Sequence, residues 1–258
     1  MPLNVLVIGD IVGKLGRRTV AGLLPEIRRD HNIDVVIANG ENTAGGRGLT
    51  PSTAQELYAC GVDIITSGNH IWENREIYPT LEKDRRILRP INYPEGTIGC
   101  GIYSSDGLAV VNVMGRTFMG VHLDCPFRAM DAALNKLRGC NIIIVDLHAE
   151  ATSEKIAMGF YLDGRVTAVV GTHTHVPTSD TRVLSGGTGY VSDLGMVGAI
   201  RSVLGMAVEP VIERFLTQLP NRFDPVEKGP AVFNSILLQV DDHSGKTLSI
   251  QRLDREVA

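Results

Sequence analysis

The amino-acid sequence predicts an α/β fold in which helices connect several parallel strands. Short apolar runs rich in branched residues alternate with amphipathic segments along most of the 258 residues. Hydrophobic residues make up 43% of the chain, enough to bury a large core. We therefore expect residues 1–258 to form a single domain.

The first apolar run, residues 4–8, is short and continuous, as in a strand that is buried on both faces. Residues 14–29 follow with apolar positions at helical spacing and basic residues on the other side, which predicts a crossover helix. The pattern repeats with a strand at 34–38, a helix near 50–60 and a strand at 63–66. Parallel pairing through right-handed crossovers is the expected topology.

The middle of the chain repeats this alternation after a proline- and glycine-rich interruption that follows Arg85. The predicted elements are a strand at 108–113, a helix at 128–138, a strand at 141–145, a helix near 153–162 and a strand at 166–170.

The last third predicts shorter elements and a closing β-hairpin. These are strands at 181–184 and 190–192, a helix near 209–216, and a hairpin that joins 235–240 to 247–253. This apolar, glycine-rich third is compatible with a homo-oligomer, although a buried core explains the same residues.

Composition narrows the classes of partner and the compartment. A formal net charge of -4 predicts no extended nucleic-acid surface and no attraction to an anionic membrane, so phosphate recognition must be local. No apolar run approaches membrane-spanning length, and the N-terminus shows no basic leader. The four cysteines form no C-x-x-C pair, which argues against a zinc ribbon and a disulfide framework. We expect a cytoplasmic protein with reduced thiols.

Polar clusters at the ends of five apolar runs are the main functional signal. Ligands collect at the carboxyl ends of strands in α/β sheets, and carboxylate, amide and imidazole groups together suit divalent iron, manganese or zinc. The clusters are Gly9-Asp10, Gly40-Glu41-Asn42, Gly68-Asn69-His70, Asp146-Leu147-His148 and Thr172-His173-Thr174-His175. An open, catalytic two-metal pocket is the better interpretation, and Glu41 or Asp10 could bridge the metals.

Each cluster has a plainer explanation when it is taken alone. Asp10 could cap the following helix, and the Gly-rich segment 40–48 could be a turn that favours asparagine, although glutamate has no such preference. Loop hydrogen bonding could account for the polar residues at 69–70 and for His148. His173 and His175 are more specific, because residues two apart on an extended segment point the same way.

In its order of motifs the chain resembles the calcineurin-like metallophosphoesterases, which carry an aspartate after strand one, a bridging acid, G-N-H, a lone histidine and G-H-x-H. More closely, it resembles the YmdB-like branch of that superfamily over nearly its whole length. The segments that carry this likeness are G-D-I-V-G, N-G-E-N, D-L-H-A-E, G-T-H-T-H-V-P and S-D-L-G-M-V-G.

The resemblance implies a fold of two central β-sheets packed as a sandwich and flanked by helices, a four-layer αββα arrangement. Two departures from the broader superfamily bear on the metal site. Val12 stands where a histidine is usual, and the glycine of G-H-x-H is replaced by Thr172. The likeness to the YmdB-like branch implies that Asn42 fills the place of the missing histidine.

The same resemblance implies two divalent metals per chain, with iron or manganese favoured and zinc or magnesium as further candidates. One metal would be bound by Asp10, Glu41, Asn42 and His175. The other would be bound by Glu41, Asn69, His148 and His173, so that Glu41 bridges the two. His70 would lie beside the metals as the general acid, with phosphate orientation as the alternative role.

Two further sets of residues could reach the substrate. Backbone N–H groups around Thr43, Gly45 and Gly46 could line a phosphate, although plain turns explain the glycines too. Arg17 and Arg18 lie on the first helix, where a basic pair is usually solvated surface.

The predicted function is hydrolysis of a small phosphoester by a metal-activated hydroxide. The resemblance points to a phosphodiesterase acting on 2',3'-cyclic nucleoside monophosphates. A phosphomonoesterase or nucleotidase is the enzymatic alternative, because the same metal centre hydrolyses either ester. A nucleotide-binding regulator with little turnover is the alternative from another class, and His70 argues against it because binding alone needs no proton donor.

Overall fold

The computed structural model describes residues 2–258. The strands in chain order are β1 Leu3–Ile8, β2 Asp10–Ile11, β3 Val35–Asn39, β4 Ile64–Thr66, β5 Ile102–Ser105, β6 Leu108–Met114, β7 Ile142–His148, β8 Ala168–Thr172, β9 Arg182–Val183, β10 Gly189–Val191, β11 Met196–Ala199, β12 Ala231–Phe233, β13 Ser235–Val240, β14 Thr247–Arg252 and β15 Arg255–Val257. The helices are α1 Gly13–Asp30, α2 Pro51–Ala59, α3 Tyr78–Lys83, α4 Pro126–Lys136, α5 Thr152–Leu162 and α6 Val208–Thr217, with a 3₁₀ turn at Arg75–Ile77.

Two mixed sheets form the centre of the molecule. One has five strands in the order β14-β13-β1-β3-β4, and the other has six in the order β5-β6-β7-β8-β10-β9. The strands β1, β3 and β4 run parallel, as do β6, β7 and β8, so the predicted crossover pairing is confirmed. The predicted hairpin is β13–β14, which pairs antiparallel.

Three buried apolar clusters show how the layers stack. One lies between the two sheets and includes Val7 and Ile37 from the first sheet and Ile144 and Val170 from the second. Another covers the outer face of the first sheet beneath α1, α2 and α3, and the third covers the outer face of the second sheet beneath α4 and α5. The predicted four-layer αββα arrangement is therefore confirmed.

A third sheet was not predicted from the sequence. It has four strands in the order β15-β12-β11-β2, each of two to four residues. Strands this short carry too little alternation to be recognised from periodicity. The pairing of Asp10 with Met196 in β2 and β11 fixes the backbone of the first predicted metal ligand.

The sheet edge that carries the candidate site is the carboxyl edge of the parallel strands. His148 and Thr172 are paired as the last residues of β7 and β8, so these strands run further than predicted. The amide of Asn39, the last residue of β3, donates to Thr172 Oγ1 at 3.4 Å and so connects the two sheets at this edge.

Within residues 2–258, none of the helices is both long and apolar enough to cross a membrane.

Candidate metal centre

The predicted ligands converge on one edge of the sandwich, although they come from five separate parts of the chain. Asp10, Glu41, Asn42 and His148 are at most 1% exposed. Buried ionisable groups are unfavourable unless they are paired or bind metals. The hydrogen-bond and ion-pair partners of these side chains therefore indicate whether the site can bind a metal ion.

His148 is the centre of a first group of donor atoms. Its Nε2 atom lies 3.1 Å from each of Glu41 Oε1, Asn69 Oδ1 and His173 Nδ1. One ring nitrogen can donate only one hydrogen bond, so it cannot satisfy three such neighbours. Glu41, His148 and His173 present three ligand atoms within 4.8 Å of one another, which fits a divalent cation.

The other ring nitrogen of His148 is held by the strand beside it. His148 Nδ1 lies 2.9 Å from Thr172 Oγ1, and that hydroxyl donates to Asp146 Oδ1 at 2.7 Å. Since the Thr172 hydrogen is directed at Asp146, its oxygen accepts the Nδ1–H of His148. This leaves Nε2 as the atom that faces the cluster, as in histidines that bind metals.

Electrostatics in this group favour a positive charge. Burial would raise the pKa of Glu41, but His148 and His70 lower it to about 2. Burial would lower the pKa of His148, but Glu41 and Asp10 raise it to about 9. Burial and the charge of His148 lower the pKa of His173 to about 3. A proton on His148 Nε2 and a metal ion would compete for the same lone pair.

Asp10 and His175 form a second group next to the first. Asp10 Oδ2 accepts the backbone N–H of His173 at 3.1 Å, whereas the buried Oδ1 has no hydrogen-bond partner among the described residues. His175 Nε2 lies 3.7 Å from that oxygen. Burial raises the pKa of Asp10 to about 6. An unpartnered carboxylate oxygen facing an imidazole nitrogen fits a second cation.

The tautomer of His175 supports this assignment. Its Nδ1 atom lies 3.0 Å from the carbonyl oxygen of Leu204. A carbonyl can only accept, so Nδ1 is the donor in this contact and Nε2 is the ring nitrogen that faces Asp10.

Asn42 lies between the two groups. Its amide nitrogen is 3.2 Å from His175 Nε2, and its amide oxygen is 2.8 Å from His70 Nδ1. Amides bind hard divalent cations through oxygen. Asn42 therefore fits its predicted role as a ligand after a half turn of its amide group.

His70 lies at the side of the cluster. Its backbone N–H donates to Glu41 Oε2 at 3.0 Å, and its Nδ1 is 3.5 Å from Glu41 Oε1. Burial lowers the pKa of His70, while the charge of Glu41 opposes this. Its side chain is 23% exposed, so the ring can reach both the carboxylate and a bound substrate.

His173 and His175 both face the site, but the prediction that they do so from an extended segment is wrong. The strand β8 ends at Thr172, and the two histidines have φ of +100° and +65° rather than extended backbone. Such conformations are unfavourable for residues other than glycine and persist where surrounding contacts hold them.

A buried ion pair supplies one of these contacts. Lys155 Nζ lies 2.6 Å from Asp193 Oδ2, and both side chains are 1% exposed. The same carboxylate oxygen accepts the backbone N–H of Thr174 at 3.1 Å. The pair therefore anchors the loop between the two histidines.

The predicted phosphate-contacting loop requires a correction at Thr43. This residue is fully buried, and its N–H donates to the Gly40 carbonyl, so it is not directed at a ligand. Gly45 is exposed with open space around it, whereas Gly46 lines the adjacent cavity at a φ of +87°. Of the three residues, only Gly46 faces the cavity.

Two plainer explanations for the sequence motifs also fail. Asp10 does not cap α1, which begins at Gly13 with Val12 as its N-cap residue and without a side-chain cap. Arg17 is not solvated surface, because its side chain is only 16% exposed, pairs with Glu56 and donates to the Thr43 carbonyl. Arg18 is exposed, as expected.

Sequence reasoning missed the role of Glu150. Its Oε2 lies 3.1 Å from His173 Nε2, which directs the Nδ1 atom of that ring toward His148. Its position two residues after His148 in D-L-H-A-E is the only sequence signal.

A cavity of about 470 Å³ opens over the cluster. Its floor includes Glu41, His70, His173 and His175, and an adjoining wall comes from residues 203–223. No motif in that segment indicated a role in the site, because apolar residues of this kind also fill cores.

The chain is similar to known proteins over nearly its whole length. The model of the family described as YmdB-like protein matches residues 6–253. The 2',3'-cyclic-nucleotide 2'-phosphodiesterase of Bacillus subtilis (strain 168) is 43% identical over 256 residues, covering 97% of this chain and 96% of the relative.

Solved structures of related proteins share this fold over nearly the whole chain. A hypothetical protein from Thermus thermophilus is 44% identical with a TM-score of 0.92, covering 98% of this chain and 99% of that one. A novel phosphatase from Mycoplasma pneumoniae is 30% identical with a TM-score of 0.94, covering 99% and 94%. The NAD nucleotidase of Haemophilus influenzae, at 15% identity and a TM-score of 0.59, covers 99% of this chain and 55% of that one and shows the shared fold alone.

The family model and the Bacillus subtilis relative both extend over nearly the whole chain, including every residue of the cluster described above. This chain belongs to the YmdB-like protein family.

Proposed function

We propose that this chain is a phosphodiesterase that opens 2',3'-cyclic nucleoside monophosphates with two divalent metal ions. The observation that carries the proposal is the donor set around His148 Nε2 together with the unpartnered Asp10 Oδ1. A set of acceptors gathered in a buried pocket suits cations better than it suits a hydrogen-bonded network. The named activity of the Bacillus subtilis relative supports this choice of substrate.

The predicted enzyme class, a phosphoric ester hydrolase, is confirmed by the relatives. The substrate and the metal dependence belong to the proposal.

The proposed ligand groups follow the two clusters. His148, His173 and Asn69 would hold one metal, Asp10, Asn42 and His175 would hold the other, and Glu41 would bridge them. Glu41 suits a bridging role because its two oxygens face different neighbours, Oε1 toward His148 and Oε2 toward the His70 backbone. When bound, the metals would supply Lewis acidity at the phosphoryl oxygens and lower the pKa of the attacking water.

His70 would act as the general acid. Hydrolysis adds a water oxygen to phosphorus and breaks one P–O bond of the cyclic diester. For the activity named in the relative, that bond is to O2', and the product is a nucleoside 3'-phosphate. A protonated His70, held beside Glu41 by its own backbone N–H and with Nδ1 3.5 Å from Glu41 Oε1, would give its Nε2 proton to the departing oxygen.

Paired substrates test this function against the phosphomonoesterase alternative. Purified protein with its bound metals is assayed with 2',3'-cyclic AMP and with 3'-AMP under identical conditions. We expect hydrolysis of the cyclic diester and accumulation of 3'-AMP. Release of inorganic phosphate from 3'-AMP at a comparable rate would favour the phosphatase activity named for the Mycoplasma pneumoniae structure.

A further inference from the structure

The cavity over the candidate metal ligands has two chemically different halves. The histidine and carboxylate floor faces a wall built mainly from apolar side chains. The wall comprises Val203, Leu204, Met206, Val211, Phe215 and Phe223. An anionic phosphoryl group gains no favourable contact from an apolar surface, so we expect the wall to contact another part of the ligand.

One face of α6 forms much of this wall. Val211, Arg214 and Phe215 line the cavity, and their spacing of three and four residues places them on one side of the helix; Gln218, the residue that follows the helix, also lines the cavity. Val211 is buried and anchors the helix, whereas Phe215 is 74% exposed. An exposed phenylalanine beside a polar pocket offers an open aromatic face to a ligand.

Hydrogen bonds and close packing connect the first part of this wall to the candidate metal ligands. The Leu204 carbonyl accepts the hydrogen bond from His175 Nδ1 at 3.0 Å. Met206 packs on Gly46 so closely that a Cβ there would lie 2.9 Å from Met206 Cε. The N–H of Val226 donates to the Gly205 carbonyl, and the N–H of Ala207 donates to the Asp224 carbonyl. These two hydrogen bonds connect residues 205–207 to residues 224–226. Residues 204–207, which lead directly into α6 at Val208, are therefore held beside the candidate metal ligands.

Two exposed arginines, Arg47 and Arg214, also line the cavity. Among residues 2–258, neither guanidinium has a carboxylate within ion-pair distance. Planar guanidinium groups stack on bases and aromatic rings and also attract anionic phosphates. Arginines next to an open aromatic ring suit a ligand that is flat at one end and anionic at the other.

We propose that this wall is a nucleobase subsite in which the base of the substrate stacks on Phe215, with Arg214 at its edge and Arg47 toward the phosphate. This inference rests on the proposed function, because it assigns the base end of the same nucleotide. The cavity volume of about 470 Å³ is that of a small-molecule site and fits one nucleotide rather than a polymer.

The test compares substrates that differ only in the base. Wild-type protein and Phe215→Ala are assayed with 2',3'-cyclic AMP and with the base-free ribose 2,3-cyclic phosphate. We expect the variant to raise KM for the nucleotide about ten-fold, as for the loss of one base–aromatic stack. Its kcat for the nucleotide and its KM for the base-free ester stay at the wild-type values. Phe215→Tyr retains the stacking face and keeps the wild-type KM.

Phe118→Ala is the matched control, because Phe118 is 85% exposed and does not line the cavity. This control leaves KM unchanged for both substrates. Equal changes of KM for the two substrates in Phe215→Ala, or no change at all, overturn the subsite. A base-independent change accompanied by altered molecular mass in solution also overturns it and assigns this helix face to a second copy of the chain.

A binding measurement separates failure of the subsite from failure of the proposed function. If the wild-type protein hydrolyses neither cyclic ester, the proposed function fails, and calorimetric titration with AMP still tests the base contact. Binding of AMP that is about ten-fold weaker in Phe215→Ala supports the subsite. Equal binding of AMP by both proteins overturns it.

Discussion

His148 Nε2 and His173 Nδ1 lie 3.1 Å apart in a pocket where both can also approach Glu41. Two neighbouring imidazole nitrogens at this distance share at most one proton, while each can donate a lone pair to the same cation. Residues on both sides fix the two rings, since Thr172 contacts His148 and Glu150 contacts His173. The contacts behind the donor atoms are therefore as much part of the site as the atoms themselves.

Replacing Glu150 tests this orienting role. In Glu150→Ala, His173 Nε2 loses its partner and the ring can turn its Nδ1 away from His148. We expect metal affinity to fall about ten-fold, at the lower end of the range for partners behind metal ligands. Glu150→Gln keeps an acceptor oxygen and should have a smaller effect. Competition with a chromophoric chelator measures both, and equal affinities in all three proteins would contradict the role.

Asp10 should give the metal-free protein a characteristic pH dependence. Burial raises its pKa from 3.8 to about 6. Stability from the protonated carboxyl is present below the unfolded pKa and is lost as the pH rises through the folded pKa. The loss amounts to about 3 kcal/mol at most. We expect Asp10→Asn to be more stable than wild type in chelator at pH 7.5.

The difference between these two proteins should largely disappear near pH 4.5, as measured by denaturant unfolding at both pH values. Added metal should reverse the order at pH 7.5, because only wild type offers the carboxylate. Parallel pH profiles for the two metal-free proteins would contradict the assignment of a buried carboxylate with one unpartnered oxygen.

His70→Ala tests proton donation separately from metal binding. We expect kcat for 2',3'-cyclic AMP to fall about 10²- to 10⁴-fold, the usual contribution of a general acid, with metal content unchanged. A p-nitrophenyl phosphodiester has a leaving group that needs no proton. Its hydrolysis should fall much less in the same variant. An equal loss for both substrates would instead assign His70 to phosphate orientation.

The buried pair of Lys155 and Asp193 gives a stability prediction. Lys155→Met leaves the Asp193 carboxylate buried without its cation and should cost about 3–5 kcal/mol in the free energy of unfolding. Addition of Asp193→Asn should restore part of this loss. Lys14→Met, at an exposed lysine, is the control and should stay within about 0.5 kcal/mol of wild type. Denaturant titration measures all four proteins.

Strong local patterns account for the parts of the fold that the sequence predicted. The predicted strand at 141–145 corresponds to β7, whose seven residues are all buried, and the amphipathic α1 presents Val20, Leu24 and Ile27 to the core. The third sheet lacked any such pattern because β2 has only two residues and is defined by pairing with β11, far away in the chain. Pairing between distant segments is not encoded in local periodicity.

The candidate site also has features that local sequence predicts and features that it does not. Carboxylates, amides and histidines at strand ends could be identified from residue type and position. The positive φ of His173 and His175, the covered side chain of Arg17 and the wall around Phe215 depend on tertiary contacts. A single domain and a homo-oligomer both stay predictions.

Metal content and turnover, measured in one preparation, test the bridged two-metal site together. Wild-type protein and Glu41→Gln are analysed by elemental mass spectrometry and assayed with 2',3'-cyclic AMP. We expect about two divalent metals per wild-type chain, conversion to 3'-AMP, and loss of both metal and activity in the variant. Metal-free wild-type protein that remains inert after metal is added, or full metal content in Glu41→Gln, would contradict the bridged two-metal site.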